Sequence, residues 1–403
     1  MAWLTVLLAA LPLPGQETLE ELESRAAALK QRGDAAGALI AWEKAAQIDP
    51  QSARIQDEAG FLLAVLNRRE EAVRRFARAI ELDPHNAAAQ YHSGIAWRLQ
   101  GAPDQAIPRL ETAAALEPGN FEYQFYVGRA LNDTAHFAES LPHLQKASAL
   151  NPSHSECWNQ LGLALQNTAD EAGASASYRR AVALDPANLE ARNNLGLMLV
   201  NAGRADEGMA EFRKVVAADP SNTAARVKIG FAHLQKAELD AAEAEFREVV
   251  RRTPESAVAH YDLGVALKQK DELEAAKAEL ARGLQLDPEL TEAHYTLGII
   301  YWQSGDFDQA AKEMQAAIDR RPDYAAAWFM MGAALKQKGD VDRAEFALRA
   351  AIRLSPEDPG PYNTLGQLLR QKGDLAGSRA AFAQGARAKE IKEAEAGEML
   401  RKK

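Results

Sequence analysis

Prolines recur in this 403-residue chain at a fixed interval of 34 residues. The ten that share this interval are Pro50, Pro84, Pro118, Pro152, Pro186, Pro220, Pro254, Pro288, Pro322 and Pro356. Glycines follow the same interval, from Gly60 through every 34th residue to Gly366. Two residue types that keep the same period over more than 300 residues indicate an internal repeat, and the repeat is the frame for every other feature of the chain.

Eleven repeats fit between residues 19 and 392 when the proline is placed at repeat position 32. They span 19–52, 53–86, 87–120, 121–154, 155–188, 189–222, 223–256, 257–290, 291–324, 325–358 and 359–392. The glycine is then position 8. Position 20 is always small, as in Ala72 and Ala276, and position 24 is large and apolar or aromatic, as in Phe76 and Leu280.

Each repeat has the pattern of two helices. In the eighth repeat, His260, Leu263 and Leu267 follow the 3–4 spacing of a buried helical stripe, and Ala276 and Leu280 mark a second stripe. A proline then ends the second helix, because it cannot extend a helix and disfavours helical backbone in the residue before it. Small residues at positions 8 and 20 allow the two helices to approach closely, and position 24 fills the adjacent space. The pattern therefore predicts an all-α chain of 22 repeat helices.

This 34-residue helix–turn–helix pattern resembles the tetratricopeptide repeat, and the resemblance covers 374 of the 403 residues. It implies that the repeats stack into a right-handed superhelical solenoid whose first helices line the concave side. Repeats four and seven have no glycine between their helices, which predicts local soft points.

The two ends of the chain depart from the repeat. Residues 1–18 contain a 12-residue apolar run at 2–13, followed by Pro14 and Gly15, and this is typical of a signal peptide. No Lys or Arg precedes Arg25, so a strip that packs on the first helix is the alternative. Export to the periplasm or out of the cell follows if residues 1–15 are a signal, and a cytoplasmic protein follows otherwise. Residues 393–403 are predicted to form a C-terminal cap or tail.

Composition excludes several classes of function. The 57 acidic residues outnumber the 47 basic ones, so nucleic acid is a poor partner. No apolar stretch reaches the ~18 residues of a membrane-spanning helix. The single cysteine, Cys157, excludes an intramolecular disulfide and cysteine-based metal centres. The chain also lacks a phosphate-binding glycine loop, and His260 and His294 sit one period apart as interfacial histidines. No enzyme activity, metal or cofactor is predicted.

A protein-interaction scaffold or adaptor is the predicted function, because a solenoid exposes a long concave surface. The alternatives are a structural or assembly role through the convex face and a repeat arm that regulates a separately encoded enzyme. Some family members clamp a C-terminal carboxylate with Lys and Asn at fixed positions of three successive repeats. Only single positions fit here, including Asn194 and Lys228, so we expect no tight binding of the acidic C-terminal peptides of chaperones.

The predicted binding groove lies on the first helices of repeats eight to eleven, within residues 261–371. Positions 5 and 12 share one helical stripe, which by the resemblance faces the concave side, and position 13 lies beside it. The candidate residues are Tyr261, Lys268, Gln269, Tyr295, Trp302, Gln303, Phe329, Lys336, Gln337 and Arg370. Aromatic rings offer contact area, amides can bond an extended backbone, and the cations favour an acidic or polar peptide. Packing and ordinary solvated helix residues are the competing interpretation.

Overall fold

The structure, a computed structural model, describes residues 17–401. Its described part contains 22 helices and no strand. The helices are α1 (Leu19–Gln31), α2 (Ala35–Ile48), α3 (Ala53–Val65), α4 (Arg69–Leu82), α5 (Ala87–Leu99), α6 (Pro103–Leu116), α7 (Phe121–Asp133), α8 (Phe137–Leu150), α9 (Ser155–Asn167), α10 (Glu171–Leu184), α11 (Leu189–Asn201), α12 (Ala205–Ala218), α13 (Thr223–Gln235), α14 (Leu239–Arg252), α15 (Ala257–Gln269), α16 (Leu273–Leu286), α17 (Thr291–Gln303), α18 (Phe307–Arg320), α19 (Ala325–Lys338), α20 (Val341–Leu354), α21 (Pro359–Gln371) and α22 (Leu375–Arg401). The predicted fold class and helix count are confirmed.

The chain divides into two compact units, Met1–Leu199 and Val200–Lys403. Their boundary falls inside α11, where the repeat spacing continues without interruption. Sequence periodicity therefore gave no sign of this division. Odd-numbered helices are the first helices of the repeats and even-numbered helices are the second. Successive helices pack against one another from α1 to α10 and from α12 to α22.

Glycine at position 8 makes room for the side chain at position 24 of the same repeat. A Cβ added to Gly94 would lie 2.6 Å from Cγ of Leu110 and 3.2 Å from the backbone oxygen of Ala106, which occupies position 20. The equivalent Cβ on Gly128 would lie 2.4 Å from Cγ of Leu144. The close approach predicted from positions 8 and 20 is present, and the position 24 side chain packs directly onto the glycine.

The turn between the helices of each repeat has one residue in the left-handed region, at position 15. Glycine occupies it in six repeats, with φ between 73° and 84°. The other five are Asn67, Ala135, Ala169, Ala237 and Asp271, with φ between 56° and 64°. A side chain at such a φ costs roughly 1–2 kcal/mol relative to glycine. Repeats four and seven, the predicted soft points, have alanine at this position, and repeats two, five and eight lack glycine there as well.

In the second unit, ion pairs join neighbouring repeats at regular intervals. A lysine at position 14 pairs with an aspartate at position 18 of the preceding repeat. These pairs are Lys236–Asp206, Lys270–Asp240, Lys338–Asp308 and Lys372–Asp342. Ser304 occupies position 14 of repeat nine, so this lysine pairing is not present between repeats eight and nine.

The two ends of the described chain have their own features. Thr18 and Glu21 form a capping box on α1, as the sequence predicted. The second helix of repeat eleven continues as α22 to Arg401, and the cap or tail expected at 393–403 stays a prediction. The apolar run at 2–13 lies outside the described residues, so export stays a prediction. No helix of residues 17–401 combines the length and the apolar character needed to cross a bilayer.

Candidate functional site

The candidate groove comprises the predicted side chains on α15, α17, α19 and α21, all within the second unit. Contacts connect each of these first helices to the next one. The hydroxyl of Tyr261 on α15 lies near Thr296 of α17, which lowers the pKa of Tyr261 against the larger rise that burial causes. Phe329 of α19 packs against Gly360 of α21, where an added Cβ would lie 3.3 Å from its ring. Lys336 of α19 donates a 2.5 Å hydrogen bond to Oε1 of Gln367 on α21. Three of the predicted residues therefore contact the next first helix, each through a residue that was not predicted.

Tyr295 forms the aromatic centre of the candidate groove. Its ring centroid lies 4.9 Å from that of Tyr324, which is the N-cap residue of α19. The guanidinium of Arg321 lies over the Tyr324 ring at 4.6 Å and pairs with Glu292 of α17. Burial raises the pKa of Tyr295, and burial together with the nearby Tyr295 raises the pKa of Tyr324 to about 12. Sequence reasoning missed Tyr324 and Arg321, because both precede the helix that carries the stripe.

Trp302 is half-buried at position 12 of α17. Its ring packs against the apolar cluster that includes Met331 and Leu335 of α19. Its indole nitrogen is shielded from solvent and has no hydrogen-bond partner. A buried donor without an acceptor is unusual in a folded protein, and leaving it unsatisfied costs roughly 1–3 kcal/mol. Trp302 is thus a packing residue with an unused donor.

The polar members of the candidate groove differ in their surroundings. Gln269, Gln303 and Gln337 are exposed, as is Arg370, whereas Lys268 is half-buried. Within the described residues, Lys268 and Arg370 make no ion pair. Two of the three predicted cations are therefore available to a negatively charged partner, whereas Lys336 already donates a hydrogen bond to Gln367.

Position 4 of the first helices is structural. Its side chain reaches the carbonyl oxygen of the proline six residues earlier in seven repeats, through Gln90, Gln124, Trp158, Arg192, His260, His294 and Trp328. His260 also contacts Glu279 at 2.6 Å, and His294 contacts Glu313 at 2.7 Å. One ring nitrogen of each histidine contacts a glutamate of the same repeat, and the other contacts the proline carbonyl of the preceding repeat. This agrees with the interfacial interpretation.

The described residues offer no metal centre and no reactive thiol. No group of three or more His, Cys, Asp or Glu side chains in residues 17–401 has the geometry to hold a metal ion. Cys157 is fully buried, and burial raises the pKa of its thiol to about 12. A thiol with so high a pKa has almost no thiolate at neutral pH and is a poor nucleophile.

Sequence models of the tetratricopeptide repeat match most of the periodic region. One model matches residues 60–107, 161–223, 295–359 and 329–391, which together make up more than half of the chain. Two further models of the same repeat match residues 199–261 and 257–290.

The chain belongs to the tetratricopeptide repeat family. A comparison with curated proteins gives no match. Among solved structures, yeast Tom70 is 15% identical, with 95% of this chain and 96% of Tom70 covered and a TM-score of 0.49. YrrB, a tetratricopeptide repeat protein with an unusual peptide-binding site, is 23% identical over 46% of this chain and 95% of its own, with a TM-score of 0.43. MamA is 28% identical over 40% of this chain and 95% of its own, with a TM-score of 0.38. The family assignment rests on the repeat models.

Proposed function

We propose that this tetratricopeptide repeat protein is a non-enzymatic scaffold that binds an acidic or polar segment of a partner protein along the candidate groove. The observation that carries the proposal is the row of candidate side chains on α15, α17, α19 and α21. Tyr261, Phe329 and Lys336 each contact the next first helix of that row. A segment bound in extended form would meet these side chains in succession.

The chemistry of the row supports a polar partner with acidic groups. Tyr261 and Tyr295 are half-buried and present large rings that lose little conformational entropy on binding. Lys268 and Arg370 have no ion-pair partner among the described residues, so a carboxylate on the bound segment would satisfy them. The exposed amides of Gln269 and Gln303 can bond an extended backbone.

A role in assembly through the second helices is the competing proposal. Phe346 on α20 is 60% exposed, and its ring meets that of Trp328 edge-on, with centroids 5.8 Å apart. An exposed aromatic of this kind is a feature of contact surfaces, although a single exposed apolar side chain is also ordinary. Phe346 therefore provides a matched control on the opposite class of helix.

Capture of partners from native extract by the full-length chain, followed by titration calorimetry, tests the proposal. We expect Tyr295→Ala to weaken binding by roughly 1–3 kcal/mol, as truncation of a buried anchor does. Charge reversal at Lys268 and Arg370 should mainly slow association and reduce its salt dependence. If Phe346→Ala abolishes binding while the groove variants bind like wild type, the assembly role replaces the groove.

We still expect that this protein does not bind the acidic C-terminal peptides of chaperones tightly. In the first unit, Asn194 donates a 3.0 Å hydrogen bond from Nδ2 to Oδ1 of Asn159, so its amide is already engaged. Micromolar affinity for such a peptide, lost when its terminal carboxylate is removed, would contradict this expectation.

Export is a separate proposal that rests on the sequence of residues 2–13 alone. N-terminal sequencing of protein isolated from its native cells tests it. A mature chain that begins near residue 10 or 15 supports export, and a cytoplasmic protein that retains the apolar run contradicts it.

A further inference from the structure

Asp262 on α15 is a buried carboxylate with no partner. It lies next to Tyr261 and is 5% exposed. In residues 17–401, no hydrogen bond or ion pair engages its oxygens. Its burial raises the pKa of the carboxyl group to about 6. The oxygens of Asp262 are not fully excluded from solvent, so water reaches the carboxylate. A cation on a bound segment can take the place of that water and compensate the charge.

Three other pairs of first helices show where a partner for Asp262 would lie within the chain. Position 5 of one first helix contacts position 6 of the next first helix, 35 residues later. Asp57 lies 2.9 Å from Nδ1 of His92, Asn159 accepts from Asn194, and Tyr261 lies near Thr296.

Asp262 occupies position 6, and position 5 of the preceding repeat is Val227 on α13. Valine offers no polar group, so the interaction that satisfies this position in the three other pairs is missing at Asp262.

We propose that Asp262 binds a positively charged side chain, a lysine ammonium or an arginine guanidinium, of the segment held in the candidate groove. This inference rests on the proposed function, because it places the cation on the same bound segment. The neighbouring ring of Tyr261 would add a cation–π surface. A divalent metal is the wrong occupant, because it needs several oxygen ligands and Asp262 is a single carboxylate.

The proposal defines the bound segment more narrowly. Asp262 and Lys268 lie six residues apart on α15, which is about 9 Å along a helix. One basic residue would therefore bind near the middle of α15, while acidic or polar residues would face Lys268 and Arg370. Nearby carboxylates are engaged elsewhere: Glu279 contacts His260, and Glu292 pairs with Arg321. Asp262 is thus the available anion on this stretch of the row.

Selection from a display library of random twelve-residue peptides tests the inference. The targets are the full-length protein, Asp262→Asn and the control Asp104→Asn, which changes an exposed aspartate of α6 in the same way. We expect lysine or arginine to be enriched several-fold at one position among peptides selected by wild type and by the control, and to lose that enrichment with Asp262→Asn.

A second measurement stays informative even if Asp262→Asn folds poorly. In a selected peptide, replacing the enriched basic residue with norleucine should weaken binding to wild type about tenfold, within the range measured for coupled charge pairs, and should not change binding to Asp262→Asn. Selected peptides without a basic preference, or with the same preference on Asp262→Asn, would overturn this inference and leave the groove standing. No selected peptide on any target would overturn both.

Discussion

Repeats two to six and repeats seven to eight place side chains at the same two positions of their first helices but leave them in different states. In the N-terminal set, Asp57 pairs with His92 and Asn159 pairs with Asn194. In the C-terminal set, the residue at position 5 is Val227, so Asp262 at position 6 of the next repeat has no partner in the described chain. Fold and register are alike, so the difference lies in the side chains at these two positions. The carboxylate of Asp57 and the carbonyl oxygen of Asn159 have partners inside the fold, although Nδ2 of Asn159 is buried without one. The carboxylate of Asp262 has no such partner and can bind one from outside.

The largest expected effect is the pH dependence of local stability around Asp262. Because the folded-state pKa is about 6 and the ordinary value is 3.8, the folded chain binds the proton more tightly. The contribution of Asp262 to the free energy of unfolding is therefore largest at low pH and falls as the pH rises through about 6. The neutral variant Asp262→Asn should gain on wild type by up to about 3 kcal/mol between roughly pH 4 and pH 7.

Hydrogen exchange of the α13–α15 amides, corrected for intrinsic rates, measures this gain locally, which suits a repeat chain that need not unfold in two states. A constant cost of burying the asparagine amide cancels between the two pH values. A difference that stays the same at both pH values would break the comparison.

A smaller effect shows whether the two regions also differ in hairpin packing. Gly128→Ala should destabilise its hairpin by about 1–2 kcal/mol, because the new methyl meets Cγ of Leu144 and overpacking exceeds the gain in helix propensity. Gly298→Ala meets the terminal Cε of Met314 at 2.7 Å, and a flexible methionine can move aside.

We expect Gly298→Ala to be neutral or slightly stabilising. Hydrogen exchange of α17 and α18 in this variant is compared with that of α7 and α8 in Gly128→Ala. Equal losses at both sites would show that the position 24 side chain does not set the tolerance of the hairpin.

The smallest effect comes from restoring the missing partner. Val227→Asn places at position 5 of repeat seven the residue that Asn159 provides in repeat five. A hydrogen bond from this amide to Asp262 should add roughly 0.5–1.5 kcal/mol, reduced by lost apolar packing, and should lower the pKa of Asp262 towards its usual range. The pH dependence of α13–α15 protection should shrink accordingly. Val227→Ala, which removes apolar contact without adding a donor, is the control for lost packing.

Much of the fold could be predicted from sequence because the repeat imposes one pattern on every hairpin. The prolines at position 32 and the glycines at position 8 located all 22 helices, and Thr18 with Glu21 located the first cap. The left-handed turn at position 15 was visible only where it is glycine. Ala169 and Asp271 adopt the same backbone because the flanking helices fix it, which local composition does not reveal.

The candidate groove could be predicted as a stripe but not as a set of contacts. Helical spacing placed Tyr261, Tyr295 and Phe329 on one side of their helices. It could not show that Tyr324 and Arg321 pack onto Tyr295, since these residues belong to the loop before α19. Asp262 also escaped notice, because its importance depends on a valine 35 residues earlier.

One pair of substitutions tests the central claim that Asp57 is a satisfied structural group and Asp262 an unsatisfied one. Asp57→Ala leaves Nδ1 of the half-buried His92 without its partner and should reduce the protection of α3–α5 by about 1 kcal/mol. Asp262→Ala removes a charge that nothing in the described chain compensates, so at neutral pH the protection of α13–α15 should be unchanged or higher. Helix-resolved hydrogen exchange on both variants measures the two effects together. An equal loss of protection at both sites would contradict the account.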